Sequence, residues 1–243
     1  MLPRGTPKPL TYSQPFGDML LAGVMADVAG GALPGTAACA YACAALAALV
    51  DRNPAAQARA LQISVKLRAG RLAAAKSCDV AGLCMSQLGQ AWSRESQTSN
   101  AALEGPPSTG SERRQSAHDA PPVAPARRGA AGWAVPGVLC LLVSLCSGCP
   151  AAVHMLLRDL GHVPLLLEVM QGAQGADAAV VAGLAALLCG CCILADASTA
   201  EESKQQAALV QVLSNRMGLR NFFGALESFS ESHAFHVRSC YTP

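Results

Sequence analysis

Residues 177–195, DAAVVAGLAALLCGCCILA, carry no charge after the opening aspartate and no proline, and the run is too long for a strand. Val180, Leu184, Leu187, Leu188, Cys191 and Leu194 recur at helical spacing, while Ala182, Ala185, Ala186, Cys189 and Ile193 fill the other side. A helix that is apolar all round must be buried all round. Two environments do this. At 1.5 Å per residue the run is roughly 28 Å long, close to the thickness of a bilayer's hydrocarbon core. It also fits between neighbouring helices of a helical stack, where its small residues permit close approach. Which environment holds it decides what the protein is.

The 243 residues are enough for one sizeable domain, but 14% charged and 4% aromatic residues are low values for a globular chain. Alanine, the best helix former, supplies much of the apolar content, and an all-α chain is favoured over any sheet. A net charge of +2, with no dense stripe of basic residues, makes no case for nucleic-acid binding. Most of the 11 cysteines sit in apolar helical runs: Cys39, Cys43, Cys84, Cys140, Cys146, Cys189, Cys191 and Cys192. Buried free cysteine behaves as a small hydrophobe, which points to a reducing compartment, the cytosol. The N-terminus is basic until Asp18, but Asp27 and Pro34 interrupt the stretch after it and no small-residue cleavage pattern marks a targeting peptide.

Residues 1–15 read as a disordered segment. Helical spacing then runs over 16–30 through Met19, Leu20, Val24 and Val28, over the uncharged stretch 36–50, over the amphipathic stretch 54–69, and over 79–92. In the amphipathic stretch Leu61, Val65 and Leu67 are the inner face, and Gln57, Arg59, Lys66 and Arg68 the wet one. Residues 93–131, rich in Ser, Pro, Gly and charge, cannot bury enough apolar surface to offset ordering entropy and read as a disordered insertion. Within it, Arg113-Arg114-Gln115-Ser116 resembles a basophilic kinase target, which makes Ser116 a candidate phosphorylation site. Helical character returns over 132–232. An apolar helix follows Trp133, with Pro136 near its start, and short helices span 151–160 and 165–170. After 177–195 come an amphipathic helix over 201–217, with Leu209, Val210, Val212 and Leu213 on its apolar face, and a last helix over 219–230. In that last helix Phe222, Phe223, Leu226 and Phe229 lie along one side, and 233–243 is a flexible tail.

An internal match argues for the stack. Asn53-Pro54-Ala55-Ala56 leading to Leu61 parallels Cys149-Pro150-Ala151-Ala152 leading to Leu157, each after an uncharged helix. Such self-similarity marks stacked helical units. From Cys149 onward the order of short helix, Gly161, Pro164, apolar helix, glycine turn and long buried helix resembles the armadillo pattern. The implied fold is an armadillo-like right-handed α-solenoid, in which each unit covers apolar surface its neighbours leave bare. The segments near 36, 133 and 177 are long enough for a small integral membrane protein, but they alternate with amphipathic helices and lack aromatic belts or flanking Lys and Arg clusters.

The match goes beyond the repeat. Gly183-Leu184, Leu187-Leu188, Gly190, Cys192-Ile193, then Asp196 and Glu201-Glu202-Ser203 resemble the end of the globular head of the vesicle-tethering golgins, also called general vesicular transport factors. Arg216, Gly218, Phe222, Leu226 and Ser230 resemble the closing helix of that head. Pro54, Pro150 and the Gly161 to Pro164 turn are similar to its preceding repeats. The insertion, Pro136 and the many alanines depart from the family pattern, and no sustained heptads follow, so the expectation is a head fragment whose coiled-coil dimerisation region is absent. The resemblance implies a non-enzymatic scaffold on the cytoplasmic face of Golgi membranes and transport vesicles, peripheral to the bilayer. It would dock a Rab-type GTPase, tethering-complex subunits and SNARE proteins. Arg216 and Arg220 are the candidate partner contacts. A generic armadillo or HEAT-like adaptor would share the repeat but need none of the closing motif.

Catalytic chemistry finds no foothold. There is no phosphate-binding glycine loop, metalloprotease helix or serine elbow, and no cofactor is implied. Cys146, Cys149, Cys189, Cys191 and Cys192 lack the spacing of a zinc ribbon and read as structural. His233 and His236 near Cys240 fall in a fraying tail, and His154 and His162 at helix surfaces and turns.

Overall fold

A computed structural model describes residues 37–62, 65–67, 76–103, 134–159, 161–175 and 177–232. The helix expected over 16–30, Ser116 with most of the insertion, and His233, His236 and Cys240 lie outside these residues. The described elements are α1 (Ala37–Val50), α2 (Pro54–Gln62), β1 (Val65–Leu67), β2 (Lys76–Cys78), α3 (Val80–Leu103), α4 (Ala134–Cys146), α5 (Pro150–Leu157), α6 (His162–Gly172), α7 (Ala178–Leu194), α8 (Ala200–Arg216) and α9 (Leu219–Ser230). Among the described residues the fold is all-α apart from one short antiparallel ribbon, and the helices stack in two layers. Helices α1, α4, α7 and α9 pack each upon the next, and α2, α3, α5, α6 and α8 form the layer behind them.

Helix α7 is the uncharged run at 177–195, and it packs against α4, α5, α6, α8 and α9. Sibling helices therefore cover most of it. The expected all-round burial is met only in part: Val181, Leu184, Leu188 and Cys192 are buried, Val180, Leu187, Cys191 and Ile193 are half-buried, and Leu194, at the helix end, is 84% exposed. Among the described residues no helix is long and apolar enough to cross a membrane.

Close approach explains the small residues. A methyl group on Gly137 of α4 would stand 3.3 Å from both the Cα and the carbonyl oxygen of Ala40, so α1 and α4 touch nearly backbone to backbone. On α7, a methyl group on Gly183 would collide with the Cβ and ring of Phe229, which α9 lays across it. Gly190, on the same helix, has open space where its Cβ would be.

The internal match is a match of backbone geometry. Arg52 (φ 52°) and Gly148 (φ 69°) both take the left-handed conformation in the turns after α1 and α4. In the first turn Asp51 N donates to Ala47 O and Asn53 N to Val50 O; in the second Ser147 N donates to Val143 O and Cys149 N to Cys146 O. Pro54 and Pro150 then open α2 and α5 where an amide hydrogen has no helical partner. Arg52 bears the strain that glycine relieves in the second copy.

Three expectations fail for local reasons. The helix expected over 54–69 ends at Gln62, and Val65–Leu67 pairs with Lys76–Cys78, Lys66 opposite Ser77, where β-branched Val65 favours extended backbone. Helix α3 does not stop at Trp92 but runs to Leu103, well into the stretch expected to be disordered. Its polar residues here are tolerable helix formers and Trp92 anchors the preceding turns, its ring lying over Gly172 of α6. Phe223 and Val210 face solvent rather than the core, one residue off the Phe222, Leu226, Phe229 and Leu209, Leu213 stripes.

Gly183→Ala, a change that ordinarily favours a helix, is expected to lower stability by about 1–3 kcal/mol through overpacking against Phe229. Gly190→Ala is expected to raise it by up to about 1 kcal/mol. Urea unfolding monitored by circular dichroism measures both; equal shifts in the two variants would contradict the close approach of α9 to α7.

Candidate functional site

Helices α6 and α8 lie side by side in the rear layer and enclose a groove of about 540 Å³. Its apolar floor is Val163, Leu167, Leu209 and Val212, and its rim carries Glu168, Gln171 and Arg216. Each wall is fixed from its ends. Helix α6 starts at a turn in which Asp159 Oδ1 accepts the Gly161 amide at 2.9 Å and the ring Nδ1 of His162 lies 3.1 Å from Leu156 O. Pro164 occupies its first turn, where a missing amide hydrogen costs nothing. On the same helix Glu168 Oε1 accepts a hydrogen bond from Trp92 Nε1 at 3.0 Å, fastening α6 to α3.

Helix α8 starts with a capping box: Thr199 Oγ1 accepts from Glu202 N at 3.2 Å, and Glu202 Oε2 accepts from Thr199 N at 3.0 Å and Ser198 N at 2.6 Å. The Thr199-x-x-Glu202 spacing is legible in the sequence, although the expected helix begins later, at Glu201. His154 Nδ1 of α5 stands 3.5 Å from Glu202 Oε1 in the same turn.

A second device is invisible in the sequence. Gln57, expected to be wet, is 3% exposed, and its Nε2 donates to Ser144 O at 2.9 Å and Ser147 O at 3.2 Å. It satisfies the carbonyls that the end of α4 leaves unpaired. Gln206 of α8 does the same for α7, donating to Cys192 O at 3.2 Å and Ala195 O at 2.8 Å. Gln171 Nε2 donates to Arg216 O at 3.3 Å, closing the end of the groove. Glutamines from the rear layer thus cap the ends of helices α4 and α7 in front of them.

The structure separates the two candidate contact arginines. Both are exposed, but Arg216 belongs to the groove and Arg220 to α9. The residues matching the family pattern have distinct jobs. Gly218 takes φ 81° in the turn between α8 and α9, Phe222 is buried and Leu226 half-buried against the core. Gly161 has an ordinary right-handed φ of −61°, and what its missing side chain spares is the Asp159 carboxylate, 2.9 Å from where a Cβ would be.

The cysteines where the end of α4 meets the end of α7 are free thiols. A hydrogen bond with Cys192, then burial, then the neighbouring thiols hold Cys146 well above the usual thiol range. Burial, then the neighbouring Cys192 and Cys191, does the same for Cys189, and burial followed by Cys192 raises Cys191 against the lowering effect of a backbone hydrogen bond. Thiols held in protonated form are poor nucleophiles and poor metal ligands. Among the described residues no group of three or more His, Cys, Asp or Glu side chains is placed to hold a metal ion.

These raised pKa values bind protons more tightly in the folded state than in the unfolded one. Their contribution to stability is complete below the ordinary thiol pKa of about 8.5 and is lost as pH rises above it. The urea midpoint is expected to fall between about pH 7.5 and about pH 9.5, and Cys189→Ala to reduce that fall. An identical pH dependence in that variant would contradict the assignment.

Comparison with known proteins agrees with this architecture. Residues 41–240 match the family described as Uso1/p115-like vesicle tethering protein, head region. The chain is 33% identical over 107 residues to the general vesicular transport factor p115 of Homo sapiens, covering 44% of this chain and 11% of that protein. It is 32% identical over 98 residues to Golgin candidate 6 of Arabidopsis thaliana, covering 40% of this chain and 10% of that protein. The matched stretch thus spans only about a tenth of the length of either relative. A family match running from α1 past the closing helix, over stacked helices with a close-packed Gly183 and a left-handed Gly218, places the chain in the Uso1/p115-like family of vesicle-tethering heads.

Proposed function

We propose that this chain acts as a head region of a vesicle tether in ER-to-Golgi and intra-Golgi transport, a docking scaffold that holds vesicles near Golgi membranes before fusion. The observation that carries this reading is the family match over residues 41–240. Tethering makes and breaks no covalent bond; it needs a rigid surface that offers area to partner proteins. The two-layer stack supplies one. Its partners are a Rab-type GTPase, subunits of tethering complexes and SNARE proteins, and it associates with the cytoplasmic face of the Golgi as a peripheral protein. Single-head capture is weak, and linking two heads raises avidity without any new contact.

The groove between α6 and α8 is the surface best suited to a partner side chain, because its volume falls within the range of about 300–1,000 Å³ common to binding pockets. Arg216 at its rim supplies a charge for an acidic partner group. The immobilised chain is expected to recover Golgi Rab proteins loaded with a non-hydrolysable GTP analogue in preference to the GDP-loaded forms. Arg216→Glu is expected to weaken that recovery about tenfold, by like-charge repulsion at a surface that otherwise folds normally. Equal, negligible recovery of both nucleotide forms would count against the tether and favour an adaptor with unrelated partners.

A further inference from the structure

The turn after α4 repeats the backbone of the turn after α1 but not its side chains. Val50 and Asn53 of the first turn correspond to Cys146 and Cys149 of the second, on either side of the left-handed Arg52 and Gly148. Asn53 works as a helix cap, its Oδ1 accepting the Ala56 amide at 3.1 Å. Cys149, at the start of α5, makes no side-chain cap, so a helix end that Asn would stabilise goes without one. The second copy thus gives up a cap and gains two thiols at the ends of a single turn. Cys149 N donates to Cys146 O at 3.2 Å. A turn closed in this way holds its end Cα atoms within about 7 Å, and a disulfide spans roughly 4.4–6.8 Å. Both side chains belong to the core side: Cys146 is buried, and Cys149 is half-buried against the same cluster. The thiols of α7 offer no such pair among themselves. Cys191 and Cys192 are adjacent and point to different faces, and Cys189 and Cys192 sit three apart, with Cβ atoms roughly 5–6 Å from each other against about 3.8 Å in a disulfide.

We infer that Cys146-Ser147-Gly148-Cys149 is a reversible dithiol–disulfide site, oxidised by a low-molecular-weight disulfide RSSR. Cys149 is the point of entry, because Cys146 and Cys192, which hydrogen-bond to each other, are both buried. The Cys149 thiol gives its proton to water and its thiolate attacks one sulfur of RSSR; a Cys149 Sγ–SR bond forms, and the departing RS⁻ takes up a proton. Cys146 Sγ then loses its proton to water and attacks Cys149 Sγ; the second RS⁻ leaves, is protonated, and the bridge remains. Two cysteine thiols are oxidised by two electrons, and one RSSR is reduced to two RSH. Proximity within the turn drives the second step, although burial makes Cys146 a poor nucleophile toward anything in solution. Closing the bridge takes Cys146 out of its hydrogen bond with Cys192, so the oxidised turn gives up one contact between α4 and α7. The site is independent of the tethering reading.

The experiment incubates the full chain with excess glutathione disulfide in mildly alkaline buffer, blocks remaining thiols with N-ethylmaleimide, and maps the digest by mass spectrometry. The expected product is a Cys146–Cys149 bridge, lighter by the two thiol hydrogens, with glutathione on Cys149 as a transient species. Cys146→Ser removes the resolving thiol, and the glutathione adduct on Cys149 is expected to build up at least about tenfold over the native chain. Cys149→Ser puts a good capping residue at the start of α5, so it is expected to stay folded by circular dichroism and to leave Cys146 reduced. Dithiothreitol is expected to return both free thiols in the native chain. A Cys149 that stays unmodified in the folded chain, an adduct on Cys149 that persists with Cys146 present, or a bridge from Cys146 to Cys192 instead would overturn the proposal.

Discussion

The structure depends on surrounding one uncharged helix with other helices. Helix α7 has no polar face to give to water, and five helices meet around it. Burial of apolar surface at about 25 cal/mol per Å² favours any arrangement that covers it, so the stack is driven as much by α7 as by each helix's own amphipathicity. Such coverage requires short distances. Gly183 lets Phe229 of α9 lie across the helix, and Gly137 lets α4 approach α1, which is why so few bulky residues fill so large a core.

Close packing of helices creates a second problem, because the last carbonyls of each buried helix lose water before they find partners. The buried ends of α4 and α7 are answered by side-chain amides of Gln57 and Gln206 reaching from the rear layer. Gln57 ties α2 to the end of α4 within one unit, and Gln206 ties α8 to the end of α7, the last helix of the unit before it. The nearest-neighbour stability expected of a solenoid thus has a polar component here as well as an apolar one.

Much of this architecture is legible in the chain itself. The helical class, the Pro54 start, the breaks at Gly161 and Gly218 and the repeat follow from spacing and punctuation, because these are local backbone preferences, and the family follows from resemblance to its motifs. What escaped was decided at a distance. Gln57 reads as a surface residue until the carbonyls of Ser144 and Ser147 are placed beside it. Residues 93–103 read as loop because composition registers the lack of apolar surface, but helix propagation from an anchored turn needs little of it. The end of α2 moved inward because extended pairing with residues 76–78 competes with helix, and pairing is a tertiary event. The groove between α6 and α8 has no sequence signature, since Val163 and Leu209 meet only after both helices are placed.

Sequence by itself determined that the chain is helical, repetitive and built around segments too apolar to face water, because hydrophobic periodicity and glycine and proline positions are properties of neighbouring residues. Only the tertiary structure decided how far those segments cover one another, which glycines are steric necessities and which are not, and which faces, such as that of Tyr41 on α1, stay open. Those outcomes depend on the separation of backbones far apart in the chain, and a gap of one methyl group, as between Gly183 and Phe229, settles them.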